Sequence, residues 1–575
     1  METSYINFES LSVEHIKQLN EINEEIKKDF IKLVNILYKK SDGSIYWLVN
    51  SLLSRNNYIS DVFSSLCYLE LVKRIISKSN VKGVTVKSTS QRKVLKKYFQ
   101  ENNFDISIKC SDSNINSTKE ILLSIYFFLQ NIYTSLIFLN AKKRKRRDSI
   151  PNDHVLTLID TFFVESMFKG NKYNDRYYNG LIDCLSDDEK KRIFFLPTIL
   201  FRKKINYIIK ICDKVEEQFL FKFDYLKLQD YIFALLSPIR INKINLQSLI
   251  FRDFKIGPIL KSDFYKNISN QSSFEGILNY RLFLRLKENK VKLRFVVNWF
   301  ENQVIDRGFN KGKNVFYPSV PSVGYQGFVA PCLFHTIPTS IEQFFKVLPD
   351  KIAVPGNKLV DILKEYSFQI NVFSAPAFRF SNLYNSYNKK TSNLHQKIIF
   401  ITLPILFNES SNIISLVTEV IRLKLITNAR WLVKPHPGLN FRRLNESLPF
   451  WPQELKIVND PFSNVINQSD ILLTGSSSTC LESIAFGVPS IVVGNRHGIT
   501  QNFIPQIIEK SIWDICYTVD EFYSAYKRLC VYNSDQKKKQ YIQISKGIKR
   551  DYFMSVTNEA VLKFLDIENV NSINQ

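Results

Sequence analysis

Three short segments hold the residues best suited to chemistry, and their order along the chain gives them meaning. Lys434-Pro435-His436-Pro437-Gly438 sets an ammonium group and an imidazole together among prolines. Proline fixes its own φ and restricts the residue before it, so His436 is held on a stiff, extended backbone. Further on, Thr474-Gly475-Ser476-Ser477-Ser478-Thr479 forms a hydroxyl-rich turn. Glu482 follows one helical turn later, ahead of Ser483-Ile484-Ala485-Phe486-Gly487-Val488-Pro489. A basic strand end, a hydroxyl turn and a carboxylate are what a nucleotide's phosphates and ribose require. Lys434 and His436 offer charge and a donor to a phosphate. Gly475 lets it approach, and Ser476, Ser477 and Ser478 open a helix whose first amides are unpaired. Glu482, on the face of Ser478, can accept from ribose hydroxyls. Each residue also has a plainer reading: a loop histidine, an ordinary serine N-cap, a packing glutamate.

For these residues to meet, they must sit at the carboxyl ends of parallel strands, where open α/β sheets bind ligands. The sequence from residue 394 supplies such strands. Lys397–Leu403, Arg430–Lys434, Asp470–Thr474 and Ser490–Val493 read as strands. Ser410–Leu425, Pro461–Gln468 and Ser478–Phe486 read as the helices between them. Alternation of this kind predicts a parallel, doubly wound sheet over 394–528, with helices over 529–575. The polar stretch 385–393 reads as a linker. Residues 1–384 read as an N-terminal Rossmann-like domain opposite. It begins with a helical region over 1–60 and a βαβ-like unit over 81–109. A strand Val155–Ile159 ends in Asp160, and a helical region spans 187–240. The buried strand Val291–Phe300 leads into Glu301, followed by apolar segments at 318–329 and 351–354 and a helix Lys358–Tyr366.

The series KPHP, then adjacent serines, then E-x4-G-x-P resembles the donor half of GT-B glycosyltransferases of bacterial surface polysaccharides. The likeness is nearest to those using CMP-activated ulosonic acids: the Kdo transferases of capsule and lipopolysaccharide and the bacterial sialyl- and polysialyltransferases. The CDP-glycerol polymerases of teichoic acid synthesis share a similar pattern. The resemblance extends over residues 290–510. It implies an α/β fold of GT-B type, two Rossmann-like domains facing a cleft with extra N- and C-terminal helices. It also implies that His436 and Ser476–Ser478 contact the CMP phosphate and that Glu482 contacts the ribose. The acidic D/E-D/E-G motif of the bacterial sialyltransferases is not found. Val323-Gly324-Tyr325-Gln326-Gly327 resembles a surface-carbohydrate motif that usually continues with histidine; Gly327 stands there instead and is given no catalytic role.

An acceptor hydroxyl needs a carboxylate or histidine within hydrogen-bond reach to lose its proton. In the N-terminal half, Glu301 and Asp160 each follow an apolar strand and are the candidate bases; Asp175 and His154 are weaker ones. Chemistry of other kinds lacks its residues. There is no DxD, no clustered metal-ligand set, no GxxxxGK[ST] loop and no GxGxxG fingerprint. The expected cofactor is none, with the CMP-sugar as substrate.

Composition sets the frame. A chain of 575 residues with 45% hydrophobic and 13% aromatic residues is too long for one core and predicts two or three domains. The net charge of +24 fits a solvated basic surface or attraction to an anionic membrane. The basic residues are spread out without a nucleic-acid-binding signature, so no nucleic-acid partner is expected. One cluster exists, at 142–147, directly after the apolar run 121–139. Ser124, Gln130, Asn131, Thr134 and Ser135 fall on one side of that run. The insertion 118–147 is therefore expected to lie as an interfacial helix on an anionic membrane, with a core helix or a membrane span as alternatives. The eight cysteines form no CxxC pair and read as buried thiols of a reducing compartment. No secretory signal is seen at the N-terminus. The expectation is a peripheral protein at the cytoplasmic face of the membrane. It would move a Kdo-like or sialic-acid-like sugar from a CMP donor to a lipid-linked or surface glycan such as O-antigen or capsule. A CDP-glycerol-type glycerophosphotransferase and a non-catalytic scaffold are the rivals.

Overall fold

Two parallel sheets frame the protein, each of strands apolar enough to be covered on both faces. The computed structural model describes residues 4–567 apart from 112–116, 146–153, 165–166, 170–171, 200–204, 242–243, 268–269, 332–334, 368, 385–395 and 532–533. The expected linker 385–393 and the end of the basic run, 146–147, lie outside the described residues. The first sheet runs, in space, Asn371–Ser374, Lys351–Val354, Ser322–Tyr325, Lys292–Trp299, Val155–Phe163, Ile193–Ile199, Gln218–Phe219. The second runs Leu455–Ile457, Ala429–Pro435, Lys397–Leu403, Ile471–Thr474, Ser490–Val493, Trp513–Cys516. All neighbours in both sheets are parallel.

Each strand order reverses once. The chain builds outward from Val155–Phe163 and then returns to Lys292–Trp299 on its other side. It repeats the move with Lys397–Leu403 and Ile471–Thr474. A reversal leaves a crevice at the carboxyl ends of the two central strands, and the two crevices open into one cleft. The fold is α/β, with two Rossmann-like domains facing that cleft.

Other segments bind the two halves together. The N-terminal part contributes a small parallel sheet, Ser4–Asn7, Val81–Val86 and Ser107–Cys110, and is therefore not purely helical at its start. Its long helix Val13–Lys40 begins at Ser12, whose Oγ accepts from the His15 N–H at 3.1 Å. Ile16, Leu19, Ile22, Ile26, Phe30 and Leu33 recur at helical spacing along it and are buried. This part touches the second sheet's domain, where Asn20 Oδ1 accepts from the Thr500 N–H at 2.8 Å. The C-terminal helices cross in the opposite direction. Ala377 N–H donates to Met554 O at 2.8 Å, and Val561, Phe564 and Leu565 are buried in the core around Trp299 and Tyr325.

One ionic network joins the N-terminal helices to the first sheet. The Glu342 carboxylate lies between Arg55, with Nη2 at 3.0 Å from both oxygens, and Arg307, all three side chains fully buried. Tyr38 Oη donates at 3.1 Å, and the Thr339 N–H and Oγ1 at 2.8 and 3.0 Å. Burial opposes the charge on Glu342, but the two guanidinium groups outweigh it and hold the carboxyl below its usual range.

Two expectations are corrected and a third is narrowed. The region 187–240 is not helical throughout: Ile193–Ile199 (IFFLPTI) is a buried strand between Val155–Phe163 and Gln218–Phe219. Its continuous apolar run has the length of a strand and no helical period. Asp160 does not end its strand. Three further apolar-compatible residues continue the pairing to Phe163, and Asp160 sits opposite Leu196 inside the sheet. The apolar run 121–139 belongs to the helix Ser117–Lys145, and no helix among the described residues is long and apolar enough to cross a membrane. The polar stripe of this helix faces the protein. Asn131, Thr134 and Ser135 are buried, with Tyr231 Oη donating to Ser135 Oγ at 2.9 Å. Leu122, Ile125, Tyr126, Leu129, Tyr133 and Leu136 face outward, continued by the exposed Leu228 and Ile232.

Removing Glu342 would leave two buried guanidinium groups unpaired. Glu342→Ala is expected to lower unfolding stability by about 3–5 kcal/mol, whereas Tyr38→Phe, which deletes one hydrogen bond, lowers it by about 1 kcal/mol. Denaturant midpoints of the purified variants check both.

Candidate functional site

The cleft has a volume of about 500 Å3, within the size range of small-ligand sites. Its walls come from three parts of the chain: Asn57 and Tyr58 of the N-terminal part; Glu301, Gln303, His335, Thr336 and Arg379 of the first domain; and Pro404, Ile405, His436, Ser476–Thr479 and Glu482 of the second.

His436 follows the strand Ala429–Pro435. Its N–H donates to Leu403 O at 3.0 Å, and its Nδ1 accepts from the Gly438 N–H at 3.0 Å. Pro437 turns the chain so that this second bond closes. Burial first, then the nearby Arg176 and Arg379, hold its pKa below the ordinary histidine value, so the ring is neutral at pH 7. A neutral imidazole whose Nδ1 accepts must carry its proton on Nε2. That N–H has no protein partner among the described residues, and His436 lines the cleft.

The serine turn divides its tasks. Ser476 is tied to the buried Glu409 of the helix Phe407–Arg422: its N–H and Oγ donate to that carboxylate at 3.0 and 2.9 Å. A Cβ on Gly475 would stand 3.1 Å from Glu409 Oε2 and 3.3 Å from Ile413 Cδ1, so the glycine makes room for this packing. Ser477 Oγ accepts from the Thr479 N–H and Oγ1 at 3.3 and 2.9 Å, leaving its own hydrogen to point elsewhere. The Ser478 hydroxyl and the Ser477 and Ser478 N–H groups have no partner among the described residues. Glu482, one turn on, has a carboxylate without a protein hydrogen bond among the described residues. Burial pushes its pKa up to about 7, against the pull of Arg379. Lys434 is placed differently from expectation: its Nζ donates to Asp460 O at 2.6 Å and Asn459 O at 3.3 Å, and it does not line the cleft.

On the facing wall, Glu301 is presented directly after Lys292–Trp299. Trp299 Nε1–H donates to its Oε1 at 2.8 Å, and the Gln303 amide holds the other oxygen. Asp306 accepts from the backbone N–H groups of Glu301 and Gln303 at 2.8 and 3.0 Å, which fixes the turn. Asp160 is remote from this surface. It is 7% exposed and accepts from Asn298 Nδ2 at 2.8 Å, and burial raises its pKa to about 7. Asp175 is saturated by Thr161, Tyr173 and the N–H groups of Tyr177 and Tyr178. His154 bonds Lys191 O at 2.9 Å, before the first residue of its strand. Of the carboxylates proposed as bases, Glu301 alone lines the cleft. Gly327 has a steric reason: a Cβ there would meet the Tyr325 and Trp299 rings at 2.4 and 2.5 Å, which leaves no space for histidine.

Residues of the site and its surroundings that no sequence motif singles out include Glu409, Arg379, Arg176 and His335. His335 is 2% exposed, with its ring against Phe63 at 3.9 Å between centroids and neither nitrogen bonded. Burial, Lys27 and Arg55 hold its pKa far below the usual value. No spacing pattern marks these residues in a chain with so many basic side chains. Among the described residues, no group of acidic, histidine and cysteine side chains could hold a metal ion.

No family model matches the chain, and no curated protein matches it. Solved structures similar to it include MnaA of S. aureus with UDP (13% identity, TM-score 0.42, covering 72% of this chain and 98% of that one). Others are the glycosyltransferase SnogD of Streptomyces nogalater (12%, 0.39, 72% and 99%) and the wall teichoic acid polymerase TagF (11%, 0.36, 79% and 97%).

The raised pKa of Glu482 has a pH signature. Between the ordinary value of 4.5 and about 7, the folded protein keeps a proton that the unfolded chain has released, so stability falls as pH rises through that window. Glu482→Gln is expected to match the wild type below pH 5 and to exceed it above pH 7, by roughly 1–3 kcal/mol. Thermal unfolding at pH 5 and pH 8 reads the difference.

Proposed function

We propose that the protein is a glycosyltransferase that moves an ulosonic acid from a CMP-activated donor to a glycan acceptor. The observation that carries this reading is the composition of the two walls. On one, a free imidazole Nε2–H, two hydroxyls, two free backbone N–H groups and a free carboxylate stand together; on the other, Glu301 faces them. The donors suit a phosphate, and Glu482 suits ribose hydroxyls. The CMP donor and the ulosonic acid are supported by the likeness of the KPHP and serine segments to enzymes that use them.

In the reaction, the bond between the anomeric carbon and the phosphate oxygen breaks, and the acceptor oxygen forms the new glycosidic bond. The departing CMP gains charge, which His436 and the Ser477–Ser478 donors neutralise without reorganising. Glu301 takes the proton of the acceptor hydroxyl. Its carboxylate is oriented by Trp299 and Gln303 and needs no further ordering as the substrates meet. The outward apolar face of Ser117–Lys145 would rest on the cytoplasmic membrane, with its polar residues bonded inward and the +24 charge attracting anionic lipid. A lipid-linked acceptor would then be delivered at that surface.

Purified protein is expected to release CMP from a CMP-activated ulosonic acid when given acceptor. His436→Ala should lower kcat/KM by about 10²–10³. Glu301→Gln should lower kcat by about 10²–10⁴ with KM retained. Absence of any CMP-sugar binding would sink the reading, and turnover of CDP-glycerol instead would make the protein a glycerophosphotransferase. Separately, co-sedimentation with anionic vesicles should be lost in Leu129→Glu/Leu136→Glu while cleft ligands still bind; undiminished sedimentation would remove the membrane role of this helix.

A further inference from the structure

Two arginines, one lining the cleft and one on a turn beside it, make no salt bridge among the described residues. Arg379 lines it from the start of the 3-10 helix Phe378–Tyr384. Arg176 is exposed on a turn that Asp175 fixes by accepting the Tyr177 and Tyr178 N–H groups. The two segments are locked side by side: Asn179 Nδ2 donates to Ser381 Oγ at 2.7 Å, and Tyr178 packs on Phe378 at 6.0 Å between ring centroids. The Arg176 guanidinium lies over the Tyr177 ring, which packs on Trp299, whose indole holds Glu301. Arg176 is thereby placed beside the facing wall. Among the described residues neither guanidinium makes a salt bridge or a hydrogen bond; Arg176 lies over the Tyr177 ring and Arg379 over the Phe380 ring, with Glu482 near enough to feel the Arg379 charge. Arginines set into the interior are treated otherwise. Arg55 and Arg307 share Glu342, Arg281 and Arg285 share Asp230, and Arg294 pairs with Glu189. Two adjacent like charges repel, and an anion between them relieves that repulsion. The planar fork of guanidinium fits carboxylate and phosphate alike.

We propose that Arg176 and Arg379 form an oxyanion site on the first domain's wall, taking an acidic group of the donor other than the phosphate next to the nucleoside. This rests on the nucleotide-donor reading of the cleft and extends it: the second domain's wall holds the nucleoside-linked phosphate, and the arginine pair holds a second anion. Its sources are a carboxylate on the transferred sugar or a second phosphate in a diphosphate donor. The pair does its work in binding and orientation, bringing the sugar end of the donor toward Glu301.

Calorimetric titration of the full-length protein with CMP, CDP, a CMP-activated ulosonic acid and inorganic pyrophosphate tests the site. The wild type is expected to bind at least one two-anion nucleotide ten-fold or more tighter than CMP. Arg176→Gln/Arg379→Gln should erase that gain while CMP affinity stays within two-fold, and Arg379→Lys should keep part of it. A gain with CDP assigns a phosphate; a gain with the CMP-ulosonic acid assigns a carboxylate. An unchanged melting temperature of the double variant shows that it is folded. The site is overturned if the wild type shows no gain, if the double variant keeps it, or if that variant weakens CMP as much as the two-anion ligands. Tight CMP binding with no arginine-dependent gain leaves the donor reading standing and removes this site. Arginine-dependent binding of pyrophosphate with no cytidine nucleotide bound keeps the site and removes the CMP donor.

Discussion

The Glu342 carboxylate, held between Arg55 and Arg307 without access to water, is the constraint on which the first domain's cleft wall depends. Taking three charges out of water is unfavourable by itself, and replacing such a triad with apolar side chains often does not reduce stability. Its role here is geometric. Arg55 also donates through Nε to His335 O and through Nη2 to Ile337 O, at 2.9 Å each. Glu342 also receives the Thr339 N–H and the Asn302 amide. Asn302 is held at φ 54, a left-handed conformation that a non-glycine residue adopts only when its surroundings require it. It lies between Glu301 and Gln303. The chain Arg55–Glu342–Asn302 therefore sets the direction in which Glu301 leaves its strand, and Thr336 Oγ1 closes the same loop on Glu301 O at 3.0 Å. A helix from the first sixty residues thus determines the position of a carboxylate that faces the other domain.

The cleft is built from backbone topology before any side chain is considered. Reversal of strand order at Val155–Phe163 and Lys292–Trp299 opens one crevice, and reversal at Lys397–Leu403 and Ile471–Thr474 opens the other. Glu301 follows one central strand. Pro404 and the serine turn follow two others, and His436 follows their neighbour. The N-terminal part and the C-terminal helices bridge the halves, so the facing of the two crevices is imposed by packing outside either sheet. Tyr58 of the N-terminal part, 58% exposed, adds a cleft residue whose hydroxyl lies in the field of Glu409 and Glu301. It feels a carboxylate from each wall, as a side chain lying between them must.

How much of this could be read from sequence depended on range. The strands Lys397–Leu403 and Ser490–Val493 and the position of His436 follow from local apolar runs and two prolines, and the structure has them as read. Ser476 and Lys434 were legible as residues at strand ends, but their partners were not. Glu409 reaches Ser476 from 67 residues away, and the carbonyls that hold Lys434 come from 25 and 26 residues on. Asp160 was misplaced because Thr161-Phe162-Phe163 continues the strand where a polar residue suggested its end. In the helix Ser117–Lys145 the two faces were legible, but which of them meets the protein is set by Tyr231 and its neighbours. The pairing of Arg176 with Arg379 leaves no trace in spacing, since it arises only when the turn after Asp175 packs on Phe378.

The same arginines explain why His436 suits its place. Burial alone lowers the pKa of an imidazole, and two nearby guanidinium groups lower it further, so the ring is neutral with its proton on Nε2. An anion at the proposed arginine site would reverse the second effect, because its charge would offset that of Arg176 and Arg379. The imidazole pKa then rises toward its ordinary value, and a second proton becomes favourable as negative charge gathers on the phosphate. The same offset withdraws the Arg379 attraction that favours the charged form of Glu482, so its neutral form gains, with a hydroxyl able to donate as well as accept. Burial favours the neutral form of both groups, and an anion between Arg176 and Arg379 would shift both toward the protonated state. In the proposed reaction, charge developing in the cleft would therefore be met by proton uptake on the second domain's wall, with Arg176 and Arg379 of the opposite wall already in place.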